Sequence, residues 1–411
     1  MKTLSLVKIL SQRHRYSGTD GEKTTQEFIV NQLKKLGYTP KKEVFKYIGS
    51  EKYLKFSKLF FSLTLLALII LSGFLHPLIS SSLFIIYAIF KSKIYPKIEL
   101  KIAKDKSFNI IATKNPNKKN HLIICGHYDS AKVASVNILK HSKILLNFSY
   151  LTILFTAIYF SLLFLFGVYL ISKQEMDIYF GLVNSFGAIW FVVPAFIFLI
   201  YVAFTLSNFE TKNFSKGADD NASGVAVMLK VAEYIKERNL NLRIDFLFLG
   251  AEEQGLFGSK YFVDKYKKLL DKENTYIINL DCVGRGKLFL FPLGFGTFFK
   301  RKISQFIYNI VIEVCKKNNY HFITDWMPYS DGASFLKENF RVFTISRCDV
   351  EVASIFERAI KKLFLIPVNS NFIPSQEWIH SENDTVELID EKKLEETRSL
   401  LIEIIKNLSK E

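Results

Sequence analysis

The residues of this chain with the clearest capacity for chemistry are two adjacent carboxylates, Asp219 and Asp220, within the segment Gly-Ala-Asp-Asp-Asn-Ala-Ser-Gly at residues 217–224. Carboxylates this close repel each other unless a cation or another positive group compensates their charge. The apolar spacing of residues 225–236 predicts a helix that starts here, and its N-terminal N–H groups would supply part of that compensation. On its own the segment also fits a helix N-cap cluster, because Asp, Asn and Ser cap helices well.

Four other polar blocks stand at or just beyond the ends of apolar runs. They are residues 126–129 (Gly-His-Tyr-Asp), 250–255 (Gly-Ala-Glu-Glu-Gln-Gly), 279–281 (Asn-Leu-Asp) and 380–385 (His-Ser-Glu-Asn-Asp-Thr). In open α/β sheets ligands bind at the carboxyl ends of strands, so these blocks can converge on one crevice. Two histidines and several carboxylates, without cysteines at matching spacing, describe a metal site for which the imidazoles favour zinc.

The ordered set of His-x-Asp, Asp-Asp-Asn-Ala-Ser-Gly, Glu-Glu, Leu-Asp and a late His followed by Asp-Thr resembles the co-catalytic dizinc aminopeptidase family. That family also includes glutamate carboxypeptidases, glutaminyl cyclases and the non-catalytic transferrin receptor. The resemblance runs from residues 15–38 to Asp390 and is interrupted by two apolar insertions. It implies the zinc exopeptidase fold, an α/β fold whose mixed, mostly parallel central sheet is flanked by helices.

The resemblance also implies a role for each motif residue. It makes five residues the ligands of two zinc ions, with Asp220 as the bridge between them: His127, Asp220, Glu253, Asp281 and His380. Glu252 then has no metal to bind and is predicted to be the general base. His127 and Asp129 lie two apart at a strand end and face the same way, which predicts that Asp129 orients the imidazole. Asp219 is expected to cap the following helix or to support the site.

Residues 329–335, Tyr-Ser-Asp-Gly-Ala-Ser-Phe, resemble the family's Ser-Asp segment near the substrate. The resemblance implies that Tyr329 and Asp331 bind substrate. Gly332 departs from the family, because many relatives carry His or Tyr at this place. The sequence therefore does not predict which substrate side chain the protein prefers.

The complete set of ligands and base predicts a membrane-anchored metallopeptidase, an aminopeptidase that hydrolyses short peptides with two zinc ions. Two alternatives remain. A glutaminyl-cyclase-like acyltransferase would use a related pocket with one zinc ion. A non-catalytic membrane scaffold, in the manner of the transferrin receptor, would be expected to lose ligands or the base.

Charge and cysteine usage narrow the class of protein. The net charge is +16 and 15% of the residues are aromatic, but the lysines are dispersed and no base-stacking motif accompanies them, so we expect no nucleic-acid partner. An anionic membrane surface explains the charge better. The four cysteines are widely spaced and predicted to be reduced and structural. The oligomeric state stays open.

The two apolar insertions predict membrane hairpins. Residues 59–90 carry no charge, and two spans joined at His76-Pro77 fit a bilayer only if the flanking lysines snorkel; a re-entrant hairpin is the alternative. Residues 144–172 and 178–208 are uncharged and each is long enough to span. Together they predict four transmembrane helices in contact with membrane lipid.

These features divide the chain into five segments. A catalytic domain at residues 1–53, 96–140 and 210–411 is interrupted by transmembrane hairpins at 54–95 and 141–209. Strand–helix alternation after residue 210 predicts an α/β layered fold, and further strands are predicted at 97–106 and 108–114. No cleavable signal sequence is predicted at the N-terminus. Ten lysines flank the hairpins on the catalytic side, whereas the opposite turns offer only His76 and Lys173, and by the positive-inside rule this predicts a cytoplasmic catalytic domain.

Overall fold

The computed structural model describes residues 1–49, 51–71, 77–134, 210–294, 305–327, 330–352, 372–375 and 378–410, together with residues 158, 161–162, 164–169 and 172. The chain forms two compact units. We call the first the sheet unit; it comprises Met1–Gly49, Lys104–Val133 and Thr211–Glu411. The second, the helical unit, comprises Ser50–Ala103 and Ala134–Glu210.

One large mixed sheet organises the sheet unit. The strands in chain order are β1 (Lys41–Tyr47), β2 (Asp105–Lys114), β3 (His121–His127), β4 (Lys132–Ala134), β5 (Glu210–Phe214), β6 (Arg243–Leu249), β7 (Thr275–Leu280), β8 (Lys287–Gly294), β9 (Phe322–Met327), β10 (Arg341–Val352) and β11 (Phe372–Ser375). The large sheet has the order β1-β2-β6-β3-β7-β10-β8-β9, and β11 pairs with β10; β4 and β5 form a separate ribbon.

The centre of the large sheet is parallel. Strand β3 pairs in parallel with β6 and β7, and β7 pairs in parallel with β10. Towards the edges, β2 and β8 run antiparallel to their central neighbours. This arrangement confirms the predicted mixed, mostly parallel α/β sheet.

Helices cover both faces of the sheet. In the sheet unit they are α1 (Thr3–Leu10), α2 (Asp20–Lys35), α6 (Gly224–Ile235), α7 (Phe257–Tyr266), α8 (Gln305–Lys317), α9 (Gly332–Lys337) and α10 (Glu391–Leu408). Successive residues of a strand point to opposite faces. Accordingly, Leu122 and Ile124 of β3 join the core formed with α6 and α10, whereas Ile123 packs with Phe262 of α7 and Phe335 of α9. Burial on both faces explains why β3 reads as a continuous apolar run.

The helical unit contains α3 (Glu51–Leu71), α4 (Pro77–Ile89), a π-helical turn (Phe90–Ile94) and α5 (Tyr95–Ile102). The strand predicted at residues 97–106 was wrong, because most of this segment is α5 and β2 starts only at Asp105. Apolar and charged residues alternate here as in a strand, but Pro96 stands in the first turn, where its fixed φ favours a helix start.

Within the described part of the chain, no helix combines the length and the apolar character needed to cross a membrane. Helix α3 carries Lys55 and Lys58 in its first half, and α4 has 13 residues before the π-helical turn, fewer than the roughly 17 that a span requires. The four predicted transmembrane helices are therefore not supported in this part of the chain. Nearly all of the second predicted hairpin, residues 141–209, lies outside the described residues.

Candidate metal centre

The predicted site residues meet at the carboxyl end of the parallel strands. His127 is the last residue of β3, and its register partner on β6 is Leu249, the residue before the Gly-Ala-Glu-Glu turn. Asp281 directly follows β7. Because neighbouring parallel strands end at the same edge of the sheet, these side chains come together as the apolar runs predicted.

Asp220 lies between two imidazoles. Its Oδ1 is 3.1 Å from His127 Nε2, and its Oδ2 is 3.2 Å from His380 Nε2. On the first side His127 Nε2 is also 3.8 Å from Asp281 Oδ1, and on the second side His380 Nε2 is 3.1 Å from Glu253 Oε2. The five residues thus form two groups of three that share one carboxylate.

The donor set suits metal ions. Ligand atoms of His127, Asp220 and Glu253 all lie within 4.8 Å of one another, and a second group joins Asp220, Asp281 and Cys282. Glu253 Oε1 is buried and has no hydrogen-bond partner among the described residues, which makes this oxygen a candidate metal ligand. Imidazole nitrogens and carboxylate oxygens are the ligands of zinc in catalytic sites. His380, with 41% of its side chain exposed, marks the side on which the centre opens to solvent.

Charges in the centre are strongly coupled. Burial raises the pKa of Glu252 well above its usual range; His127 opposes this shift, and the carboxylates of Glu253 and Asp331 add to it. Burial would also raise the pKa of Asp220, but the hydrogen bonds with His127 and His380 outweigh it and lower that pKa. A cation bound between the carboxylates would relieve the same repulsion.

Asp129 holds the turn that carries Glu252 and Glu253. Its Oδ1 accepts the N–H of Glu252 and its Oδ2 accepts the N–H of Glu253, both at 3.2 Å, while Ser17 Oγ donates to Oδ2 at 3.3 Å. The distance from His127 Nδ1 to Asp129 Oδ1 is 3.6 Å, and Nδ1 has no hydrogen-bond partner among the described residues. The Asp129 carboxylate thus lies beside the imidazole at ion-pair rather than hydrogen-bond distance, and its role in orienting the ring stays a prediction.

The other aspartate of the adjacent pair supports the site rather than joining it. Asp219 Oδ1 accepts the N–H of Gly284 at 2.7 Å, and its Oδ2 accepts the indole N–H of Trp378 at 3.1 Å. Asp384 in turn accepts the N–H groups of Asp219 and Asp220, at 2.7 and 3.1 Å. Burial, with the charge of Asp219 nearby, raises the pKa of Asp384 to about 8. The motif 380–385 contained Asp384, but the sequence did not reveal this role.

Arg15 is a further residue whose role the sequence did not predict. Its guanidinium is fully buried and donates to four backbone carbonyls, those of Leu10 at 3.2 Å, Tyr128 at 2.7 Å, Lys216 at 2.6 Å and Gly217 at 2.8 Å. It thereby ties the segment after His127 to the turn before Asp220. Burial lowers the pKa of Arg15 to about 10, although the nearby carboxylates of Asp384 and Asp129 oppose this shift.

Of the two predicted substrate residues, Asp331 lies beside the centre and Tyr329 lies outside the described residues. Ser330 Oγ donates to Asp281 Oδ2 at 2.8 Å, which ties this segment to a predicted ligand. Asp331 is buried, neither of its carboxylate oxygens has a hydrogen-bond partner among the described residues, and burial raises its pKa to about 7. A Cβ on Gly332 would lie 2.9 Å from Thr344 Oγ1, so β10 leaves no room here for the larger residue of many relatives.

Comparison with known proteins agrees with this geometry. The profile of peptidase family M28 matches residues 205–405. Aminopeptidase YwaD of Bacillus subtilis is 37% identical over 83 residues, which cover 20% of this chain and only 18% of the relative's own length.

Solved structures share the fold over almost the whole chain. Glutaminyl cyclase from Porphyromonas gingivalis has a TM-score of 0.55 at 14% identity and covers 99% of this chain and 97% of its own. A Zn-dependent exopeptidase from Parabacteroides distasonis has the same TM-score, identity and coverage. At these identities the likeness shows a zinc exopeptidase-like α/β fold.

Proposed function

We propose that the protein is a zinc-dependent aminopeptidase that removes residues from the amino end of short peptides, because the profile of peptidase family M28 matches residues 205–405. The observation that carries the proposal is Asp220, whose two oxygens each face a different imidazole, 3.1 and 3.2 Å away. A carboxylate so placed suits two metal ions held side by side. The proposal extends to this chain the activity that the name of one relative, aminopeptidase YwaD, states.

The ligands divide into two sets around Asp220. His127 and Asp281 would hold one zinc ion, and Glu253 and His380 the other. When bound, the two ions supply Lewis-acid polarisation of the scissile carbonyl and lower the pKa of water. The exposed side of His380 gives the peptide its approach to the centre.

Glu252 is the proposed general base. It takes a proton from the attacking water and delivers it to the nitrogen of the leaving amine, so that the peptide bond is replaced by a carboxylate and a free amine. Burial keeps the pKa of its carboxyl group well above the ordinary value, which suits a group that must first accept a proton and then give it up. Asp129 fixes the backbone of Glu252 and Glu253 and so positions base and ligand together.

Three variants test this division of roles. We expect Glu252→Gln to lower kcat by at least about a thousandfold while zinc content stays at the wild-type level, because the base is not a ligand. Asp220→Asn should lose both zinc and activity. Glu237→Gln, at a position 83% exposed, is the matched control and should behave as wild type. Full activity in Glu252→Gln would contradict the mechanism.

The one-metal alternative is separated by stoichiometry and product. Metal analysis should find two zinc ions per chain, since both groups around Asp220 are complete. Peptides that begin with glutamine should be hydrolysed rather than cyclised with release of ammonia. One zinc ion together with cyclisation would instead favour a glutaminyl-cyclase-like transferase. A protein that binds no metal and turns over no substrate would favour a scaffold.

A further inference from the structure

The helical unit exposes large apolar side chains along one face of α3. Phe56, Phe60, Leu63 and Leu71 have exposed fractions of 65%, 48%, 48% and 45%. Their spacing of three, four and eight residues places them on a single stripe of the helix, with Ala67, also exposed, between the last two. A continuous apolar stripe on a helix surface marks a contact with something other than water.

Helix α4 repeats the pattern and inverts the usual arrangement of polar and apolar groups. Ile79, Ile85 and Ile86 are 52%, 51% and 61% exposed, whereas two of the three serines of α4, Ser80 and Ser81, are 1% and 2% exposed and the third, Ser82, is exposed. In water, such a helix would turn its serines outward and bury its isoleucines. Between lipids the reverse holds, because small polar residues suit close helix contacts and large apolar residues suit hydrocarbon.

Packing inside the helical unit is close. Tyr87 Oη donates to the carbonyl of Phe61 at 3.0 Å and so joins α4 to α3. Gly167 lies directly against Leu78, because a Cβ on this glycine would be 2.7 Å from Leu78 Cγ. The helices of this unit thus pack closely against one another. The exposed apolar stripes are therefore not explained by loose packing between the helices.

One end of the α3–α4 pair is basic and aromatic. Tyr53 near the start of α3 and Tyr95 at the start of α5 share a hydrogen bond of 2.9 Å between their hydroxyl groups. Four exposed lysines lie at or near this end: Lys91, Lys93, Lys97 and Lys101. Tyrosine and lysine side chains placed at one end of an apolar element match the headgroup region of a membrane, and clustered lysines match anionic lipids.

We propose that α3 and α4 form a hairpin that enters an anionic lipid bilayer from one face. The apolar stripes contact the acyl chains, and the lysine–tyrosine end stays among the headgroups. With 13 residues α4 is about 20 Å long, short of the roughly 30 Å hydrocarbon core. Helix α3 has 21 residues, but Lys55 and Lys58 lie in its first half, so the hairpin dips into the bilayer without crossing it. The proposed membrane interaction is independent of the peptidase chemistry, and peptide hydrolysis can be measured separately from membrane binding.

Vesicle flotation of the full chain tests the proposal. Wild-type protein should float with vesicles of phosphatidylcholine and phosphatidylglycerol and bind pure phosphatidylcholine more weakly. Ile86→Glu should lower binding at least about tenfold, because it places a charge in hydrocarbon. Leu269→Glu is the matched control, since Leu269 is 77% exposed in the sheet unit, and it should bind as wild type. The double variant Lys93→Glu/Lys97→Glu should lose about tenfold on anionic vesicles and little on neutral ones.

Two results would overturn the proposal. One is flotation of Ile86→Glu equal to that of wild type. The other is a wild-type chain that ignores vesicles but sediments as a dimer that Ile86→Glu dissociates, which would assign the apolar stripes to a second copy. Hydrolysis of a soluble peptide by Ile86→Glu, measured in parallel, checks that the sheet unit remains folded.

Discussion

Two carboxylates outside the proposed ligand set anchor the backbone on which the ligands stand. Asp129 accepts the N–H groups of Glu252 and Glu253, and Asp384 accepts those of Asp219 and Asp220. Each carboxylate therefore fixes a pair of adjacent residues at once, and the positions of base and ligands depend on groups that need not touch metal.

The first prediction concerns Asp129. Asp129→Asn keeps the shape of the side chain but sets an amide donor against one of the two backbone N–H groups. We expect kcat to fall about 10- to 100-fold with zinc content unchanged, because the turn shifts but no ligand is lost. Steady-state kinetics with metal analysis measure both quantities. Asp264→Asn on the surface is the control, and an unaltered kcat in Asp129→Asn would show that the turn does not need this carboxylate.

The sequence predicted which side chains converge but not how the backbone is held. Convergence followed from apolar runs that become the parallel strands β3, β6 and β7, each followed by polar residues. The backbone contacts of Asp129, Asp384 and Arg15 were not predictable, although Asp129 itself was predicted as a site residue. The contacted N–H and carbonyl groups are oriented by local turns with positive φ, such as 52° at Ala251 and 58° at Gly217. These angles cannot be predicted from the residue types of the side chains that bind the turns.

At the scale of elements, β3 and β6 are joined near their starts, at the end of the strands opposite the metal centre, by a hydrogen bond between His121 and the buried carboxylate of Asp245. His121 Nε2 is 2.9 Å from Asp245 Oδ2, and Arg243 Nη2 lies 2.8 Å from the same oxygen. Burial raises the pKa of Asp245, but His121 and Arg243 outweigh this effect and the pKa is lowered overall. The ionised carboxylate is therefore a stabilising link between two central strands.

The second prediction follows from the sign of this shift. A carboxyl group whose pKa is lowered on folding stabilises the folded state above its unfolded pKa of about 3.9, and this contribution is lost as pH falls through the folded value. Asp245→Asn should therefore destabilise the protein by about 3 kcal/mol at pH 7, and the difference from wild type should shrink below about pH 4. Thermal unfolding midpoints across this range measure it. If the stability difference between wild type and Asp245→Asn stays constant with pH, the charge of Asp245 does not stabilise the folded state.

The helical unit shows where element prediction from sequence is weakest. The alternation of Lys, Ile, Glu and Leu in residues 97–102 matches a strand, yet the segment is helical. A period of two over six residues is short enough for a proline-initiated helix to override it, particularly after α4 and its π-helical turn. In the sheet unit, by contrast, apolar runs and helical periods are longer: the helix predicted at residues 225–236 is observed at Gly224–Ile235, and the strand predicted at 108–114 is observed at Asp105–Lys114.

At the scale of the whole molecule, basic residues are unevenly distributed around the two apolar insertions. Ten lysines flank the insertions on the side of the sheet unit: Lys52, Lys55, Lys58, Lys91, Lys93, Lys97, Lys140, Lys143, Lys212 and Lys216. The opposite turns offer Lys173, which is followed by Glu175 and Asp177. The four cysteines are all free and buried, as predicted. If the insertions cross a membrane, both features predict a catalytic side that faces the cytoplasm.

The last prediction tests this sidedness. His127 precedes the second insertion and Asp220 follows it, yet both belong to one centre, so residues 141–209 must cross a bilayer an even number of times or not at all. If they cross, Lys173→Cys should react with a membrane-impermeant thiol reagent in intact cells, and Lys212→Cys should react only after permeabilisation. The native cysteines are buried and should give little background. Protection of both positions would mean that the second insertion stays on one face like the proposed α3–α4 hairpin. Labelling of Lys212→Cys alone in intact cells would place the catalytic side outside, against the positive-inside rule.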